Sequence, residues 1–401
     1  MMPANKLALV AALFALATAW PASAAHKQEW VAAWSMSPDR PGPALEPSTI
    51  RQVVRTTVGG SAVRVRLSNL LGVGAQQIGP VRVQVGEGMP LTVAFGGQPI
   101  VTIPQGADVL SDPVPLAVQP LQDITVRLYL PTGSAAATLH GVGLQTAVIA
   151  RGDMTLSTDP LAGEQRRSRF FVTDIEVAAD PAARALVIVG DSIADGVGST
   201  LDANVRWPDV LAERLQHHPE LGPIAVINAG MAGNRILNDG SAPYIGPSVM
   251  SRFERDALAK PGVRWILLAA GINDITGSVD LTDAKEQVSV EQIIEGMRTL
   301  AERARARDVK IWAATLLPSN HIEDPAQAAV VEAMRLQVNV WIRTSGAFDA
   351  VLDFEEVLRA GDAGVVRLNS EYDSGDHLHP NDKGYRALAE SIDLNLFREA
   401  Q

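Results

Sequence analysis

Residues 184–196 read RALVIVGDSIADG, in which an apolar run at 185–189 leads directly into a glycine, an aspartate and Ser192. A short, nearly all-apolar run is typical of a parallel strand that is covered on both faces. The small residues after it allow a sharp turn, and a serine on such a turn is exposed at the end of the sheet. The stretch therefore predicts a buried strand followed by a candidate nucleophile, although a Gly-Asp-Ser turn taken alone more often only caps a helix.

Further strands of the same kind follow Ser192 and alternate with amphipathic stretches. The strand candidates cover residues 185–189, 224–228, 265–269, 309–315 and 350–354. Ser289 and Gln292 have the spacing of a capping box at the start of one amphipathic stretch, which predicts that a helix begins there. This alternation predicts a three-layer α/β/α fold with a parallel sheet over residues 181–401, and an active site at the carboxyl ends of the strands.

The first half of the chain has a different pattern. Residues 63–67, 81–85 and 124–130 alternate apolar with polar or charged side chains, and Gly-Gly or Pro-Thr-Gly turns separate the short segments. A period of two is the pattern of strands with one buried face. We therefore expect an antiparallel β-sandwich of the jelly-roll type over residues 26–180, with a domain boundary near Asp180.

The first 25 residues predict a secretory signal peptide. Lys6 precedes an apolar run at 7–20, and a small-residue stretch ends at Ala25. The run is shorter than the roughly 20 residues that a membrane-spanning helix needs, which argues against the alternative of an anchor. We expect cleavage after Ala24 or Ala25, a periplasmic or secreted protein, and no membrane span in the mature chain.

Composition narrows the choice of chemistry and partner. Apolar residues make up 47% and charged residues 20% of the 401 positions, as in ordinary globular proteins. The absence of cysteine excludes a thiol nucleophile and a thiolate metal site. A formal net charge of −11 disfavours nucleic acids and anionic membranes as partners. A small-molecule or glycan substrate fits this surface better, and the sequence does not indicate an oligomeric state.

A serine hydroxyl needs a general base, and the base needs a carboxylate to hold its tautomer. Asp376 and His379 follow the fifth predicted strand and precede the last predicted helix. A carboxylate three residues before a histidine in a loop can reach one ring nitrogen while the other faces the serine. We therefore predict Ser192 as the nucleophile, His379 as the base and Asp376 as the residue that orients the base.

Acyl transfer also requires hydrogen-bond donors for the developing oxyanion. Gly233 follows the second predicted strand of the later half, and its N–H has no side chain to block approach. Asn273 follows the third strand, and its amide can donate from Nδ2. Each is individually more often a turn residue, but the carboxyl ends of parallel strands would gather both beside Ser192.

Four short blocks, in this order, resemble those of the SGNH, or GDSL-type, hydrolases: Gly190-Asp191-Ser192-Ile193, Gly233-Asn234, Gly271-x-Asn273-Asp274 and Asp376-x-x-His379. The resemblance covers the chain from about residue 185 onward. It implies a serine acyl hydrolase whose oxyanion hole combines the N–H groups of Ser192 and Gly233 with the side chain of Asn273. Ile193 replaces the usual leucine, which is a conservative change. The first half resembles the sandwich domain that precedes the catalytic domain in some secreted bacterial members, including carbohydrate esterases.

Several other residues are weaker candidates. Asn234 and Arg235 are predicted as substrate-binding residues because they adjoin Gly233, with a solvated arginine as the alternative. His377 and His379 could ligate a metal together with a neighbouring aspartate, but no third ligand is suggested nearby. We therefore predict neither a metal nor a cofactor. His140, in the sandwich, is interpreted as structural.

Together these features predict an exported serine esterase that acts on carboxylic esters through an acyl-enzyme. Short acyl groups, including the O-acetyl groups of carbohydrates, are the expected substrates by family analogy. An acyltransferase that uses the same triad is one alternative, and a carbohydrate-binding module on an inactive hydrolase scaffold is another. Because every predicted catalytic group follows Asp180, we expect activity on small esters to survive removal of the sandwich if the later half folds alone.

Overall fold

The computed structural model describes residues 29–158, 160–240, 246–280, 286–361 and 366–398. The predicted signal peptide lies outside these ranges. Antiparallel strands make up the first half: Glu29–Ser35 (β1), Arg40–Pro41 (β2), Ser48–Arg55 (β3), Val63–Ser68 (β4), Gln76–Ile78 (β5), Val81–Val85 (β6), Leu91–Val93 (β7), Val101–Ile103 (β8), Asp108–Leu110 (β9), Asp123–Leu130 (β10), Thr138–His140 (β11), Ala147–Arg151 (β12), Glu164–Arg166 (β13), Arg169–Phe170 (β14) and Val172–Ala179 (β15).

These strands form the predicted β-rich first half. The larger sheet has the strand order β13-β12-β3-β10-β6-β7, and a second sheet has the order β1-β15-β4-β9. Smaller sheets join β14, β11 and β2, and β5 with β8. Alternate residues such as Val63, Val65 and Leu67 are fully buried, while Arg64 and Arg66 between them are partly exposed. The period of two in the sequence is therefore the alternation between the core face and the outer face.

The second half is a parallel sheet with helices on both faces. Its strands are Arg184–Gly190 (β16), Ile224–Gly230 (β17), Val263–Ala269 (β18), Lys310–Ala314 (β19) and Ala350–Leu352 (β20), and Arg359–Ala360 (β21) pairs with Arg367–Leu368 (β22) outside the sheet. The helices are Ser192–Asp195 (α1), Trp207–Gln216 (α2), Val249–Phe253 (α3), Ile272–Asp280 (α4), Val290–Arg305 (α5), Pro325–Thr344 (α6), Phe354–Leu358 (α7) and Asp382–Ser391 (α8), with short 3₁₀ turns at Pro219–Leu221 and Leu394–Phe397 and a π turn at Glu254–Leu258. None of the described helices is long and apolar enough to span a membrane.

The order of the parallel strands, β17-β16-β18-β19-β20, positions the site. The chain moves from β16 to one neighbour, β17, and then crosses to β18 on the other side, so the carboxyl end of β16 is a topological switch point. Alternate residues of β16 enter different cores, with Val187 on one face and Ile188 on the other. This burial on both faces confirms the three-layer architecture that the apolar runs predicted.

One predicted strand ends earlier than expected. The fifth strand stops at Leu352 because Asp353 caps α7 and accepts a hydrogen bond from the N–H of Glu356. The last helix ends at Ser391, and the apolar residues beyond it form a 3₁₀ turn. The capping box predicted at Ser289 and Gln292 is present at the start of α5.

The sandwich packs directly against the parallel sheet. The strand arrangement changes between Ala179 and Arg184, but the apolar core on one face of the sheet continues into the sandwich. The N–H of Val226 in β17 donates to Thr57 Oγ1 at 3.0 Å. The division of the chain into domains near Asp180 stays a prediction, because burial is shared across the change of arrangement.

Candidate active site

The turn after β16 presents Ser192 at the first position of α1. Asp191 caps this short helix by accepting a hydrogen bond from the N–H of Ile193 at 3.0 Å. Gly190 leaves no room for a side chain, because a Cβ there would lie 2.7 Å from the carbonyl oxygen of Ala269 on the neighbouring strand. The sharp turn that carries the serine therefore depends on a glycine packed against the sheet. Ser192 is only 6% exposed, so the expectation of an exposed serine was wrong, because the neighbouring loops cover the turn.

Ser192, His379 and Asp376 form one hydrogen-bonded chain. His379 Nε2 lies 2.8 Å from Ser192 Oγ, and His379 Nδ1 lies 2.6 Å from Asp376 Oδ2. Asp376 Oδ1 accepts the backbone N–H groups of Leu378 and His379 at 3.0 and 2.8 Å. Partial burial raises the pKa of Asp376, but these hydrogen bonds outweigh it and lower the pKa to about 2. The ionised carboxylate therefore keeps the proton of His379 on Nδ1 and leaves Nε2 to face the serine.

Unused hydrogen-bond donors lie in the loops beside Ser192. The N–H groups of Ser192 and Gly233 have no acceptor in the part of the chain that the structure describes. Gly233 has φ 74°, in the left-handed region where a residue with a side chain is strained. Asn273 Nδ2 donates one hydrogen bond to the carbonyl oxygen of Asn234 at 3.1 Å, which leaves its second N–H available.

Asp274 ties the turn of Asn273 to the loop that follows Gly233. Its buried carboxylate accepts the backbone N–H of Ile236 at 2.8 Å and that of Leu237 at 3.0 Å. Burial raises the pKa of Asp274 to about 6 despite these hydrogen bonds. The two loops that hold the candidate donors are therefore joined to each other.

Sequence reasoning missed Arg252, a buried guanidinium behind the site. It donates to the carbonyl oxygens of Gly190 at 3.0 Å and Ala229 at 2.8 Å, and to Asn234 Oδ1 at 3.0 Å. These contacts join the ends of two neighbouring strands to the loop after Gly233. The sequence did contain a signal for this residue. Arg252 lies three positions after the buried Val249 and so places a charge on the apolar face of a helix.

The structure does not support the substrate-binding role predicted for Asn234 and Arg235. Asn234 is 0% exposed, and its Nδ2 donates to the carbonyl oxygen of Pro247 at 2.7 Å. Arg235 is 2% exposed and pairs with Glu286 at 2.5 Å. Arg235 is therefore not solvated either. Both side chains point into the protein, although they are adjacent in sequence to a loop at the site.

His377 and His379 are each bound to a separate carboxylate. His377 Nδ1 lies 2.6 Å from Asp373 Oδ2, whereas His379 Nδ1 contacts Asp376. The second ring nitrogen of His379 contacts Ser192. Both ring nitrogens of His379 are therefore already hydrogen-bonded within the triad, whereas a metal site built on this pair would need one of them as a ligand.

Three solved structures illustrate the similarity of this chain to known proteins. They are an acetylxylan esterase, Axe2, from Geobacillus stearothermophilus (23% identity, 52% of this chain and 91% of that one, TM-score 0.39), a G-D-S-L family protein from Desulfitobacterium hafniense DCB-2 (23%, 52% and 96%, TM-score 0.37), and LAE5, an α/β hydrolase from the metagenome of Lake Arreo, Spain (20%, 52% and 92%, TM-score 0.37). No curated protein sequence matches the chain.

The family comparison covers the half of the chain that carries the site. Residues 188–387 match the GDSL-like Lipase/Acylhydrolase family. The matched segment contains Ser192, Gly233, Asn273, Asp376 and His379, which the fold brings to the carboxyl ends of the parallel strands. Residues 188–387 therefore belong to the GDSL-like lipase/acylhydrolase family, and this chain is a carboxylic ester hydrolase.

Proposed function

We propose that the ester hydrolase works through an acyl-enzyme formed on Ser192. The observation that carries this proposal is the 2.8 Å contact between Ser192 Oγ and His379 Nε2, with Asp376 on the other ring nitrogen. A nucleophile, its base and the residue that orients the base are thus in hydrogen-bonding order. The same arrangement argues against the alternative of a carbohydrate-binding module on an inactive hydrolase scaffold.

The reaction runs in two halves. Ser192 Oγ attacks the carbonyl carbon of the ester while His379 Nε2 takes the hydroxyl proton. The tetrahedral oxyanion accepts the N–H groups of Ser192 and Gly233 and the free N–H of Asn273. The imidazolium then gives its proton to the leaving alcohol, which departs and leaves the acyl group on Ser192. A water molecule, activated by the same imidazole, then attacks the carbonyl carbon of the acyl-enzyme. The acid is released and Ser192 regains its proton.

We propose short acyl groups as the substrates, and O-acetylated carbohydrates as the favoured class. The loop that carries the base supports a small acyl group, because residues 373–377 are Asp, Ser, Gly, Asp and His, and a long acyl chain would need apolar surface to bury there. The carbohydrate part rests on the resemblance of the first half to the sandwich domains of carbohydrate esterases.

A panel of p-nitrophenyl esters from acetate to palmitate, together with acetylated xylan, tests both parts of the proposal. We expect turnover that falls as the acyl chain lengthens and that disappears in Ser192→Ala. A folded Ser192→Ala protein with wild-type turnover would refute the acyl-enzyme. Product analysis with an added acceptor alcohol distinguishes hydrolysis from acyl transfer, since a transferase would form a new ester.

We also propose that the protein is exported, on the pattern of residues 1–25. The test is expression of the full chain in a bacterial host, followed by fractionation and N-terminal sequencing. A mature N-terminus at Ala25 or His26 in the periplasm or medium is the expected result. An uncleaved chain in the cytoplasm would contradict the proposal.

A further inference from the structure

A buried histidine of the sandwich contacts the active-site half of the chain. His140, at the end of β11, is 4% exposed. Its Nδ1 lies 2.8 Å from the carbonyl oxygen of Ser37, and its Nε2 lies 3.0 Å from Asp195 Oδ1 and 3.1 Å from the carbonyl oxygen of Val142. All three partners are acceptors. A neutral imidazole has only one N–H, so contacts at both ring nitrogens can be hydrogen bonds only if the ring is an imidazolium.

The surroundings of the ring favour that charged form. Burial alone lowers the pKa of His140, but the charge and hydrogen bond of Asp195, followed by the charge of Asp39, raise it to about 9. Asp39 Oδ2 lies 4.0 Å from His140 Nδ1. The ring therefore pairs with Asp195 as a buried ion pair, and this pair joins the sandwich to α1.

Asp195 extends the contact to the loop of a candidate oxyanion donor. It is the last residue of α1, which begins at Ser192, and it is 4% exposed. Asp195 Oδ2 accepts the backbone N–H of Ala232 at 3.1 Å, and Ala232 immediately precedes Gly233. One carboxylate therefore holds the helix of the nucleophile and the loop of Gly233 at a fixed separation, and His140 holds that carboxylate.

We infer that His140 is a positioning residue contributed by the sandwich, which acts through Asp195 to hold the N–H groups of Ser192 and Gly233 in register for the oxyanion. The inference rests on the proposed function of these two donors. Without His140, Asp195 would be a buried carboxylate with a single hydrogen-bonded partner, Ala232, among the described residues. A buried charge without its partner is costly, so Asp195 would turn toward other donors or water and release the loop.

This role changes the part assigned to the sandwich. The expectation that small-ester activity survives its removal followed from the position of the catalytic groups after Asp180. Removal of the sandwich would also remove His140. We therefore expect activity on small esters to depend on the sandwich. Full-length variants test this more directly than a fragment does, because they leave the shared core in place.

The first test compares two ion pairs that join the sandwich to the other half. His140→Leu removes the pair with Asp195, and Lys260→Met removes the pair between Lys260 and Asp174, which does not contact the loop of Gly233. We expect His140→Leu to lower kcat on p-nitrophenyl acetate by roughly 10- to 100-fold with KM within about threefold, as for displaced catalytic donors. Lys260→Met should leave kcat within about twofold of wild type.

A second pair of variants keeps the proposal testable if His140→Leu does not fold. Asp195→Ala removes the carboxylate that accepts the backbone N–H of Ala232. In this variant His140 can lose its proton and become neutral, so no unpaired charge is left buried. Asp195→Asn keeps the connections, since its oxygen accepts from Ala232 and its amide donates to the Nε2 of a neutral His140. We expect Asp195→Ala to lower kcat by the same roughly 10- to 100-fold, and Asp195→Asn to restore it to within about threefold of wild type.

An inhibitor adds a readout that a purely structural role would not change. A boronic acid forms a tetrahedral adduct on the serine and places an oxygen among the oxyanion donors, so its affinity should fall in parallel with kcat. Folded His140→Leu or Asp195→Ala with kcat within about threefold of wild type would overturn the inference, as would equal losses in His140→Leu and Lys260→Met. Inactive wild type or active Ser192→Ala would instead overturn the proposed function.

Discussion

Asn273 offers the sharpest test of the proposed oxyanion hole. One N–H of its amide donates to the carbonyl oxygen of Asn234 at 3.1 Å, which fixes the plane of the amide and leaves the other N–H for substrate. Asn273→Ala removes that donor. The turn itself should persist, because the neighbouring Asp274 still accepts the N–H groups of Ile236 and Leu237. The variant therefore separates a catalytic donor from a residue that only shapes the turn.

The size of the effect follows from when the hydrogen bond forms. A donor aimed at the oxyanion gains strength only as charge develops in the transition state, so its loss acts on kcat and not on KM. Loss of one such donor costs roughly 10²- to 10³-fold in kcat, about 2.7–4 kcal/mol. Asn273→Asp should be at least as damaging, because its carboxylate would face both the carbonyl oxygen of Asn234 and the oxyanion.

The assay is kcat and KM on p-nitrophenyl acetate, with circular dichroism and thermal melting to verify folding. Asn395→Ala is a matched control, because that asparagine also donates from Nδ2 within a turn but lies in the C-terminal 3₁₀ element. We expect the control to keep wild-type kinetics. If folded Asn273→Ala keeps kcat within about threefold of wild type, well short of the loss expected for one oxyanion donor, Asn273 is a turn residue and not part of the oxyanion hole.

Three further changes test the supporting structure. Asp376→Asn should lower kcat by roughly 10⁴-fold with the fold intact, because an amide can donate to Nδ1 of His379 and stabilise the wrong tautomer; near-normal turnover would contradict the triad. Asp191→Asn should raise the melting temperature more at pH 8 than at pH 5. Burial raises the pKa of Asp191 to about 7, so between about pH 4 and 7 the folded carboxyl keeps a proton that the unfolded one releases. The wild type therefore loses stability as pH rises through this window, by about 2 kcal/mol from pH 5 to 7, and an equal gain at both pH values would refute the assignment. Gly230→Ala should destabilise the protein by about 1–3 kcal/mol, measured by urea unfolding, because its Cβ would lie 2.4 Å from the backbone nitrogen of Asp195; unchanged stability would show that α1 shifts freely.

The sequence alone determined the layers of the fold and the candidate catalytic groups. Apolar runs mark parallel strands because both faces are buried, and a period of two marks strands with one buried face. Parallel strands share one carboxyl edge, so the positions of Ser192, Gly233 and Asn273 directly after apolar runs are enough to assign them to that edge. The spacing of Asp376 and His379 predicted their contact for a local reason, since a carboxylate three residues before the histidine reaches Nδ1 within the same loop.

Only the tertiary structure decided which way buried polar side chains point and what they contact. Asn234 and Arg235 adjoin Gly233, yet both turn inward to partners that the sequence does not identify. His140 and Asp195 are separated by 55 positions and meet only because the sandwich packs on the parallel sheet. A buried charge is stable only beside a partner of matching geometry, and that geometry is set by packing among distant elements and not by local pattern.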